Sequence, residues 1–299
     1  YIRRFGEELR SQKNHLAATI TKEARKIKTE SEGEVQEAID MCDFAVGLSR
    51  QLYGLTMPSE RPNHRLQEIW HPIGTIGCIT AFNFPIAVFA WNFCLAAVCG
   101  NSVIWKPSPH SNLCARKIKD SWDKVSDEFA DLILILEGEK EEAVAMCEDP
   151  AISLISATGS TQMGKELAPL VSKRLGKLLL ELGGNNAAIV CPSADLDLTI
   201  KGIAFSACGT TGQRCTSLRR LFVHEDIYDD CVARLKTCFE ELIIGCPTKE
   251  SSQIGPLISK ASYQSMQAIL TSLKDKKVDF EIPVEQIQGH VNNTRQNYK

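Results

Sequence analysis

Short apolar runs alternate with amphipathic helical patterns from residue 76 to residue 182. The strand-like runs are 76–82, 102–105, 132–136, 152–156 and 177–182, and helical patterns at 87–98, 113–122, 139–147 and 165–173 separate them. A strand–helix–strand alternation of this kind is typical of a parallel sheet covered by helices. We therefore predict an α/β fold with a Rossmann-like, doubly wound parallel sheet, and a ligand site at the carboxyl ends of its strands.

The flanking segments extend this pattern to two domains. Residues 1–52 have helical periodicity, and a breaker-rich link follows at 54–63 with Pro58 and Pro62. After the turn Gly183-Gly184 a second α/β pattern begins, with strand-like runs at 187–191 and 219–223 and helical runs at 195–207 and 227–242. We predict a first domain at 1–182 and a second at 183–299, where periodicity is lost beyond about Asp279.

Composition excludes several classes of protein. Of 299 residues, 43% are hydrophobic and 24% charged, which is typical of a globular chain rather than a disordered or fibrous one. The balance of 34 basic and 37 acidic residues gives a net charge of −3, so neither nucleic acid nor an anionic membrane is an expected partner. The longest apolar stretch, 86–100, is interrupted by Asn92 and is too short to span a bilayer.

The cysteine and histidine spacings do not predict a metal site. The 12 cysteines include no C-x-x-C pair, and the 6 histidines include no H-E-x-x-H motif. The N-terminus lacks the apolar run of an export signal. We therefore expect reduced thiols and a cytoplasmic location.

Cys215 is the first candidate for a chemical role. It follows Gly209-Thr210-Thr211-Gly212-Gln213-Arg214, a run of glycines and small polar residues that predicts a flexible loop in which the cysteine is exposed. A cysteine nucleophile needs accessibility and a nearby positive charge, and Arg214 is adjacent. The alternative is an ordinary loop cysteine.

Glu181 is the second candidate. It ends the apolar run Leu178-Leu179-Leu180, and Gly183-Gly184 follow it closely. A carboxylate at the end of a buried strand loses hydration, which would raise its pKa towards that of a general base. The alternative is a strand-end carboxylate that faces solvent.

Three further positions lie at predicted strand ends or helix starts. The Asn83 amide could donate a hydrogen bond to an oxyanion, or it could cap a helix that begins at Pro85. The amides of Gly159-Ser160-Thr161 could bind phosphate at a helix start. Lys106 could reach a ribose or a phosphate, or it could be an ordinary solvated lysine. The G-x-G-x-x-G fingerprint is absent.

Four motifs in a fixed order resemble the signatures of the aldehyde dehydrogenase superfamily. They are Phe82-Asn83-Phe84-Pro85, Thr158-Gly159-Ser160-Thr161, Glu181-Leu182-Gly183-Gly184 and Gly212-Gln213-Arg214-Cys215. Within the superfamily the chain is most similar to the branch of α-aminoadipic semialdehyde dehydrogenases, the antiquitins. The stretches 33–37, 45–50, 79–85, 180–186 and 212–216 carry this resemblance, which runs from the first residues to about Asp279.

The resemblance implies a reaction and a set of site residues. Cys215 would attack the aldehyde, Asn83 and the Cys215 backbone N–H would hold the oxyanion, and Glu181 would activate water to hydrolyse a thioester. The cofactor would be NAD, bound by the first domain. Its binding residues would be Ala81, Phe82, Lys106, Gly159, Ser160 and Gly183. Residues 183–299 would be part of a catalytic α/β domain.

The resemblance also implies the substrate class, a small-molecule aldehyde. Arg214 would bind a substrate carboxylate and Glu37 a substrate ammonium group, with Glu34 as the second choice for the ammonium. Phe84 and Trp91 would line the substrate tunnel, although both are equally compatible with an ordinary core.

The sequence departs from the family pattern in several places. Pro109 replaces an acidic ribose ligand, which leaves the choice between NAD and NADP open. Ala157 replaces an aromatic residue, which predicts looser packing beneath the cofactor. The family's Glu-x-Phe-Gly-Pro segment and its oligomer-forming strand are missing, and 282–299 shows no resemblance. We therefore expect a piece of a longer enzyme that is homo-oligomeric when complete. Two alternatives remain: a catalytically incompetent remnant, or a cofactor-free thiol esterase that would leave the first domain unexplained.

Overall fold

The computed structural model describes residues 1–275, which form two compact units. Unit one contains Tyr1–Glu23 and Glu32–Leu182, and unit two contains Ala24–Ser31 and the residues from Gly183 onward. The segment Ala24–Ser31, which sequence analysis put in the first domain, therefore belongs to unit two. The tail at 282–299 lies outside the described residues.

Between β3 and α9, the helices and strands follow one another in the order that the periodicity predicts. The helices are α1 (Ile2–Ser11), α2 (Lys13–Ala24), α3 (Lys28–Leu48), α4 (Ala87–Val98), α5 (Asn112–Asp123), α6 (Lys140–Glu148), α7 (Thr161–Lys173), α8 (Leu196–Cys208), α9 (Tyr228–Glu240) and α10 (Lys260–Asp275). The strands are β1 (Thr56–Pro58), β2 (Arg65–Gln67), β3 (Thr75–Ile79), β4 (Ser102–Lys106), β5 (Ile133–Ile135), β6 (Ile152–Thr158), β7 (Lys177–Glu181), β8 (Asn186–Val190) and β9 (Leu218–Val223).

The core of unit one is a five-stranded parallel sheet. Its strand order is β5-β4-β3-β6-β7, so the chain builds outward from β3 in one direction and then crosses to build β6 and β7 in the other. The order therefore reverses between β3 and β6. Ligands of doubly wound sheets bind at such a switch point. The predicted α/β class and parallel sheet are confirmed.

An aromatic cluster covers one face of this sheet. The ring of Phe89 on α4 stacks on Trp105 of β4 with 3.7 Å between centroids, and Phe93 meets Trp122 of α5 edge to face at 4.8 Å. The buried Trp105 donates its indole N–H to the Thr80 hydroxyl at 2.9 Å, which satisfies its one polar group. Packing on this face fixes the turn that follows β3.

Helices α6 and α7 cover the opposite face. Met146 and Cys147 of α6 and Leu167 of α7 pack with Ile155 of β6 in one buried cluster. Gly77 of β3 lies beneath this layer, and a Cβ atom there would come within 2.6 Å of the Ile155 side chain. The nearest atoms are the ends of the Ile155 and Met146 side chains, so a larger residue at this position would require both side chains to shift.

Unit two is built on a parallel strand pair. Strands β8 and β9 are joined through α8, and α9 packs beside α8. Val190, Ile203 and Cys231 are buried between this pair and the two helices. The other face of the pair is open in the described residues, since Ile189 is 77% exposed and its register partner Phe222 is 53% exposed.

Several local expectations need correction. The link at 54–63 contains strand β1, which pairs with β2 in an antiparallel hairpin, and α10 was not predicted. Strand β3 ends at Ile79 rather than at Phe82, because the chain leaves the sheet to enter the turn before α4. Within residues 1–275, no helix combines the length and the apolar character that crossing a bilayer requires.

Candidate active site

The site residues of unit one gather at the carboxyl ends of four neighbouring strands. In the register of the sheet, Ile79 at the end of β3 is paired with Lys106 at the end of β4, and Thr158 of β6 is paired with Glu181 of β7. The turn containing Asn83 follows β3 directly. The structure therefore brings the Lys106, Asn83, Gly159 and Glu181 positions to one edge of the sheet, on both sides of the switch point.

The segment after β6 forms the start of helix α7. Ser160 is the N-cap residue, and its hydroxyl oxygen accepts the Met163 amide N–H at 3.0 Å. The Gly159 N–H donates to the Glu181 carbonyl at 3.0 Å, and a Cβ atom on Gly159 would lie 2.6 Å from the Met163 sulfur. A compact turn thus leads into a helix N-terminus, which favours anions.

Lys106 is a buried cationic hydrogen-bond donor at the carboxyl end of β4. Its Nζ donates to the carbonyl of Gly138 at 2.8 Å and to that of Pro107 at 3.2 Å. Burial lowers the pKa of Lys106, while the nearby carboxylates of Glu139 and Glu142 act in the opposite direction. These contacts hold the ammonium group in a fixed place, so it is not the solvated lysine of the alternative interpretation.

These groups fit a dinucleotide cofactor. The N-terminus of α7 and the turn at Gly159 suit a pyrophosphate, because backbone N–H groups and a helix dipole face the same place. A Cβ atom at Gly159 would crowd this turn. The ammonium of Lys106 suits a ribose hydroxyl. The roles of Ala81 and Phe82 stay predictions: both are half-buried, and the Phe82 ring packs edge-on against His110 at 6.3 Å.

Asn83 is half-buried in the turn between β3 and α4, and it does not cap that helix. Helix α4 begins at Ala87, and its N-cap residue, Ile86, has no capping side chain of its own. The carboxylate of Glu34 on α3 supplies the cap, accepting the N–H groups of Ile86 at 2.7 Å and Ala87 at 3.1 Å. Glu34 is 1% exposed and already serves these amides, so Glu37 is the better candidate for a substrate ammonium.

Replacing Glu34 by Ala is expected to lower the free energy of unfolding by about 2–4 kcal/mol, because two buried N–H groups lose their acceptor. Glu34→Gln keeps an acceptor oxygen and should lose less. Chemical denaturation followed by circular dichroism measures both changes. Glu32→Ala, on the same helix at a half-exposed position, is the matched control. Equal losses for Glu34→Ala and Glu32→Ala would rule out the capping role.

Glu37 and Trp91, two predicted substrate residues, are in direct contact. The Glu37 carboxylate accepts the Trp91 indole N–H at 2.8 Å. Trp91 is 43% exposed, and its ring lies 6.4 Å from that of Phe44. Trp91 is therefore a surface aromatic rather than a core residue. Phe84 is half-buried in the turn after Asn83, and the tunnel roles of Phe84 and Trp91 stay predictions.

The premise used for Glu181 is wrong. Strand β7 is the edge strand of the sheet, and its residues alternate between exposed and half-buried. Leu179 is 47% exposed, and the Glu181 side chain is exposed as well. The Glu181 carboxylate is therefore exposed to solvent rather than buried at the end of a strand. The position of Glu181 at a strand end is as predicted, and its role as a base stays a prediction.

In unit two, Cys215 lies exposed in a tight turn that fixes its backbone. The turn is closed by the Ser217 N–H, which donates to the Arg214 carbonyl at 3.2 Å, and the Arg214 N–H donates to the Ser217 hydroxyl at 3.2 Å. The Asn186 amide, at the start of β8, donates to the Cys215 carbonyl at 2.7 Å and to the Ser217 carbonyl at 3.0 Å. Cys215 is thus presented by a fixed turn.

Sequence analysis missed Asn186, although a signal was present. Asn186 follows Gly183-Gly184-Asn185 at the first position of a strand, where an amide side chain can reach the neighbouring strand. A Cβ atom on Gly184 would lie 3.1 Å from the Cys215 carbonyl oxygen, so the glycine allows this close approach. Gly183 is exposed, and its cofactor role stays a prediction.

Arg214 already has partners within unit two. Its Nη2 donates to the Glu30 carboxylate at 3.1 Å, and its Nε donates to the Thr210 hydroxyl at 2.9 Å. The guanidinium also lies over the Phe205 ring at 5.2 Å. These contacts orient the guanidinium, and binding of a substrate carboxylate stays a prediction.

The remaining cysteines differ from Cys215 in their surroundings. All 12 are free thiols. Burial raises the pKa of Cys78, and that of Cys147 to about 11, so neither is a nucleophile near neutral pH. Cys99 and Cys191 are exposed like Cys215. Cys99 lies at the C-terminus of α4, and Cys191 lies in a turn in which its carbonyl accepts the Ala194 N–H at 2.9 Å. Across residues 1–275, no group of three or more His, Cys, Asp or Glu could hold a metal ion.

Known proteins similar to this chain include curated relatives and solved structures. The chain is 43% identical to the "Aldehyde dehydrogenase family 7 member A1" of Malus domestica over 92% of this chain and 55% of that protein. It is 42% identical to the "Alpha-aminoadipic semialdehyde dehydrogenase" of Bos taurus over 92% of this chain and 51% of that protein. The chain thus spans about half the length of the curated relatives it matches.

A solved NADP dependent enzyme of E. coli superposes with a TM-score of 0.89 at 27% identity, over 92% of this chain and 57% of that one. The model of the aldehyde dehydrogenase family matches residues 1–295. The chain belongs to the aldehyde dehydrogenase family.

Proposed function

We propose that this chain carries the chemistry of NAD-dependent oxidation of an aldehyde to a carboxylic acid through a thioester on Cys215. The observation that carries the proposal is the exposed Cys215 thiol on a turn whose carbonyl is held by Asn186 at 2.7 Å. A nucleophile needs access and a fixed approach, and this turn provides both. The esterase alternative would use the same thiol, but it leaves the strand-end site of unit one without a role.

The protein's own residues account for the steps around the nucleophile. Cys215 attacks the aldehyde carbon to form a thiohemiacetal. The Asn83 amide and the Cys215 backbone N–H donate to its oxyanion, which stabilises the charge as it develops. When bound, NAD supplies the oxidising power by accepting a hydride. Glu181 then takes a proton from water, which attacks the thioester carbon and releases the acid with the Cys215 sulfur as leaving group.

NAD, rather than NADP, is the proposed cofactor. Family members use NAD(P), and the two differ by a phosphate on the adenosine ribose. The carboxylates of Glu139 and Glu142 lie close enough to influence Lys106. The 2′-phosphate of NADP would be repelled by this negative charge if it lay near Lys106, whereas the ribose hydroxyls of NAD could accept and donate hydrogen bonds there.

The proposed substrate is a semialdehyde that carries both a carboxylate and an ammonium group, α-aminoadipic semialdehyde being the candidate. Arg214 would bind the carboxylate, and Glu37 would bind the ammonium group. The Bos taurus relative with that substrate in its name supports this choice. The exposed tryptophan at Trp91 already contacts the Glu37 carboxylate.

Arg214→Ala is expected to lower the preference for α-aminoadipic semialdehyde over an uncharged aldehyde of similar length by about tenfold, because a charge-assisted contact is lost. The measurement is the ratio of kcat/KM for the two aldehydes. A ratio is used because losing Arg214 also disturbs the loop around Thr210. Arg234→Ala, which removes an exposed arginine from α9 of the same unit, is the control. An unchanged ratio for Arg214→Ala would contradict the substrate role.

The proposed function is tested by mixing the purified chain with NAD and α-aminoadipic semialdehyde and following the absorbance of NADH. NADH formation by the chain alone supports the proposal. A chain that is folded by circular dichroism and binds NAD, yet forms no NADH, would be the remnant of the alternative interpretation.

The setting of this activity is also a proposal. The partner is a small-molecule aldehyde, with neither nucleic acid nor membrane as a ligand. The free thiols are compatible with the reducing cytoplasm. Complete members of the family would form homo-oligomers.

A further inference from the structure

The loop that leads to Cys215 is held by a carboxylate distant in sequence. We call residues 209–215 the nucleophile loop. Glu30, in the first turn of α3, accepts the Thr210 backbone N–H at 2.9 Å and the Thr210 hydroxyl at 3.3 Å. The same carboxylate pairs with the Arg214 guanidinium at 3.1 Å. Glu30 therefore contacts the loop at two residues, Thr210 and Arg214, one on each side of Gly212.

The contacts of Glu30 with the nucleophile loop are largely shielded from water. The side chain of Glu30 is 12% exposed and that of Arg214 is 19% exposed. Shielded ion pairs with several hydrogen bonds are screened less by salt than surface pairs are. The Arg214 Nε also donates to the Thr210 hydroxyl at 2.9 Å, which closes a small network of three side chains.

The backbone that Glu30 holds is strained. Thr210 and Thr211 have φ angles of 51° and 58°, in the left-handed region that β-branched residues avoid. Such a conformation persists only when the surroundings impose it. Glu30 holds Thr210, and the Thr211 hydroxyl donates to the Gly255 carbonyl at 2.9 Å. Without these contacts the loop would relax to other conformations.

We infer that Glu30 is a positioning residue for the nucleophile: through Thr210 and Arg214 it holds the nucleophile loop in the conformation that presents Cys215. The inference deepens the proposed function and rests on it only for the role of Cys215. Glu30 is not assigned a contact with substrate or cofactor. An ordinary structural ion pair would instead stabilise unit two as a whole and affect all its segments alike.

Trypsin distinguishes these two roles in the full chain. Cleavage between Arg214 and Cys215 requires the Arg214 guanidinium to leave Glu30 and enter the protease. Glu30→Gln removes the charge that holds it, and Glu30→Asp keeps that charge. Glu250→Gln is the matched control, since Glu250 is 87% exposed and pairs with Lys28 at 3.5 Å in the same unit.

Glu30→Gln is expected to raise the initial rate of cleavage after Arg214 by about tenfold, because the loop opens locally. Mass spectrometry of short digests measures this rate beside the rates after Lys201 and Arg234, two exposed sites on α8 and α9. Those two rates should not change. Glu30→Asp should recover most of the protection, and Glu250→Gln should behave as the unchanged chain. Equal acceleration at all sites, or none after Arg214, would overturn the inference.

Alkylation reports on the nucleophile itself. Cys215 is already exposed, so releasing the loop gives a reagent little further access to the thiol. A released loop would also spend part of its time in conformations that cover the thiol. The rate of iodoacetamide labelling at Cys215, relative to the exposed Cys191, is expected to fall about threefold in Glu30→Gln and to recover in Glu30→Asp. Buried Cys231 reports unfolding of unit two. An unchanged ratio, or a change that appears only together with labelling of Cys231, would overturn the inference.

Both measurements are independent of turnover. If the chain forms no NADH but Glu30→Gln shows the local loop release, the proposed function fails and the inference about the loop stands. If the chain forms NADH and Glu30→Gln changes neither cleavage nor labelling, the inference fails alone.

Discussion

Cys215→Ala is expected to abolish NADH formation from α-aminoadipic semialdehyde, with a loss of at least about 10⁴-fold, the scale on which covalent enzymes lose turnover when their nucleophile is removed. The reason is chemical, because without a thiol no thiohemiacetal forms and the aldehyde offers no hydride at a useful rate. NAD binding should persist, since the residues proposed to hold it do not include Cys215 and most of them lie at the strand ends of unit one. NADH absorbance measures turnover, and fluorescence titration measures NAD affinity.

The matched control is Cys191→Ala. Cys191 is exposed and lies in the same unit, in a turn of its own. The control should keep the activity of the unchanged chain. Buried thiols provide an internal reference for folding, because Cys147 has a pKa raised to about 11 by burial and resists alkylation near neutral pH. Turnover that survives Cys215→Ala would exclude the thioester mechanism.

Glu181→Gln is expected to stop the reaction after its first half. The first turnover should still produce NADH, up to about one equivalent per chain, whereas steady-state turnover should fall by about 10²–10⁴-fold, the usual worth of a general base. The acyl group should then remain on Cys215 as a thioester, which intact-mass spectrometry detects as a mass increase. The split between first and later turnovers separates a base from a residue that only stabilises the fold.

Glu166→Gln is the control for Glu181. Glu166 is an exposed carboxylate on α7 that pairs with Lys140 at 2.7 Å, so its loss changes charge in the same unit without touching the strand ends. Normal steady-state turnover in Glu181→Gln would support the other interpretation of this residue, a solvent-facing carboxylate at the end of a strand. This alternative must be tested directly, because β7 is an edge strand and the Glu181 side chain is exposed.

Local pattern predicted the elements of the fold well. The alternation of apolar runs and helical patterns between residues 76 and 182 fixes which segments are strands, because each needs its own burial periodicity. Parallel strands need crossover connections, and the helices between the strands of this chain provide them, so the alternation predicts a parallel sheet. The candidate residues Asn83, Lys106, Gly159 and Glu181 therefore lie at strand ends as a consequence of sequence order alone.

The burial of the edge strand could not be predicted from the local sequence pattern. Leu178-Leu179-Leu180 predicts a buried strand, yet Leu179 is 47% exposed. The difference comes from the strand order, which puts β7 at the edge of the sheet. Strand order depends on how crossovers pack, and no property of the three leucines encodes it.

The sequence by itself determined the α/β class, the placement of candidate residues at strand ends and the exposure of Cys215, since all three follow from short-range patterns. The run before Cys215 is not a flexible loop, because residues 209–212 form a short 3₁₀ helix in which Gly209 and Thr210 are buried. Only the tertiary structure decided which groups hold the site. Glu30 reaches Thr210 across 180 residues, and Glu34 caps α4 across 52 residues. The physical reason is that a carboxylate on a helix has the same local pattern whether it faces water or a backbone amide. Packing of that helix selects its partner, and packing is a property of the folded chain.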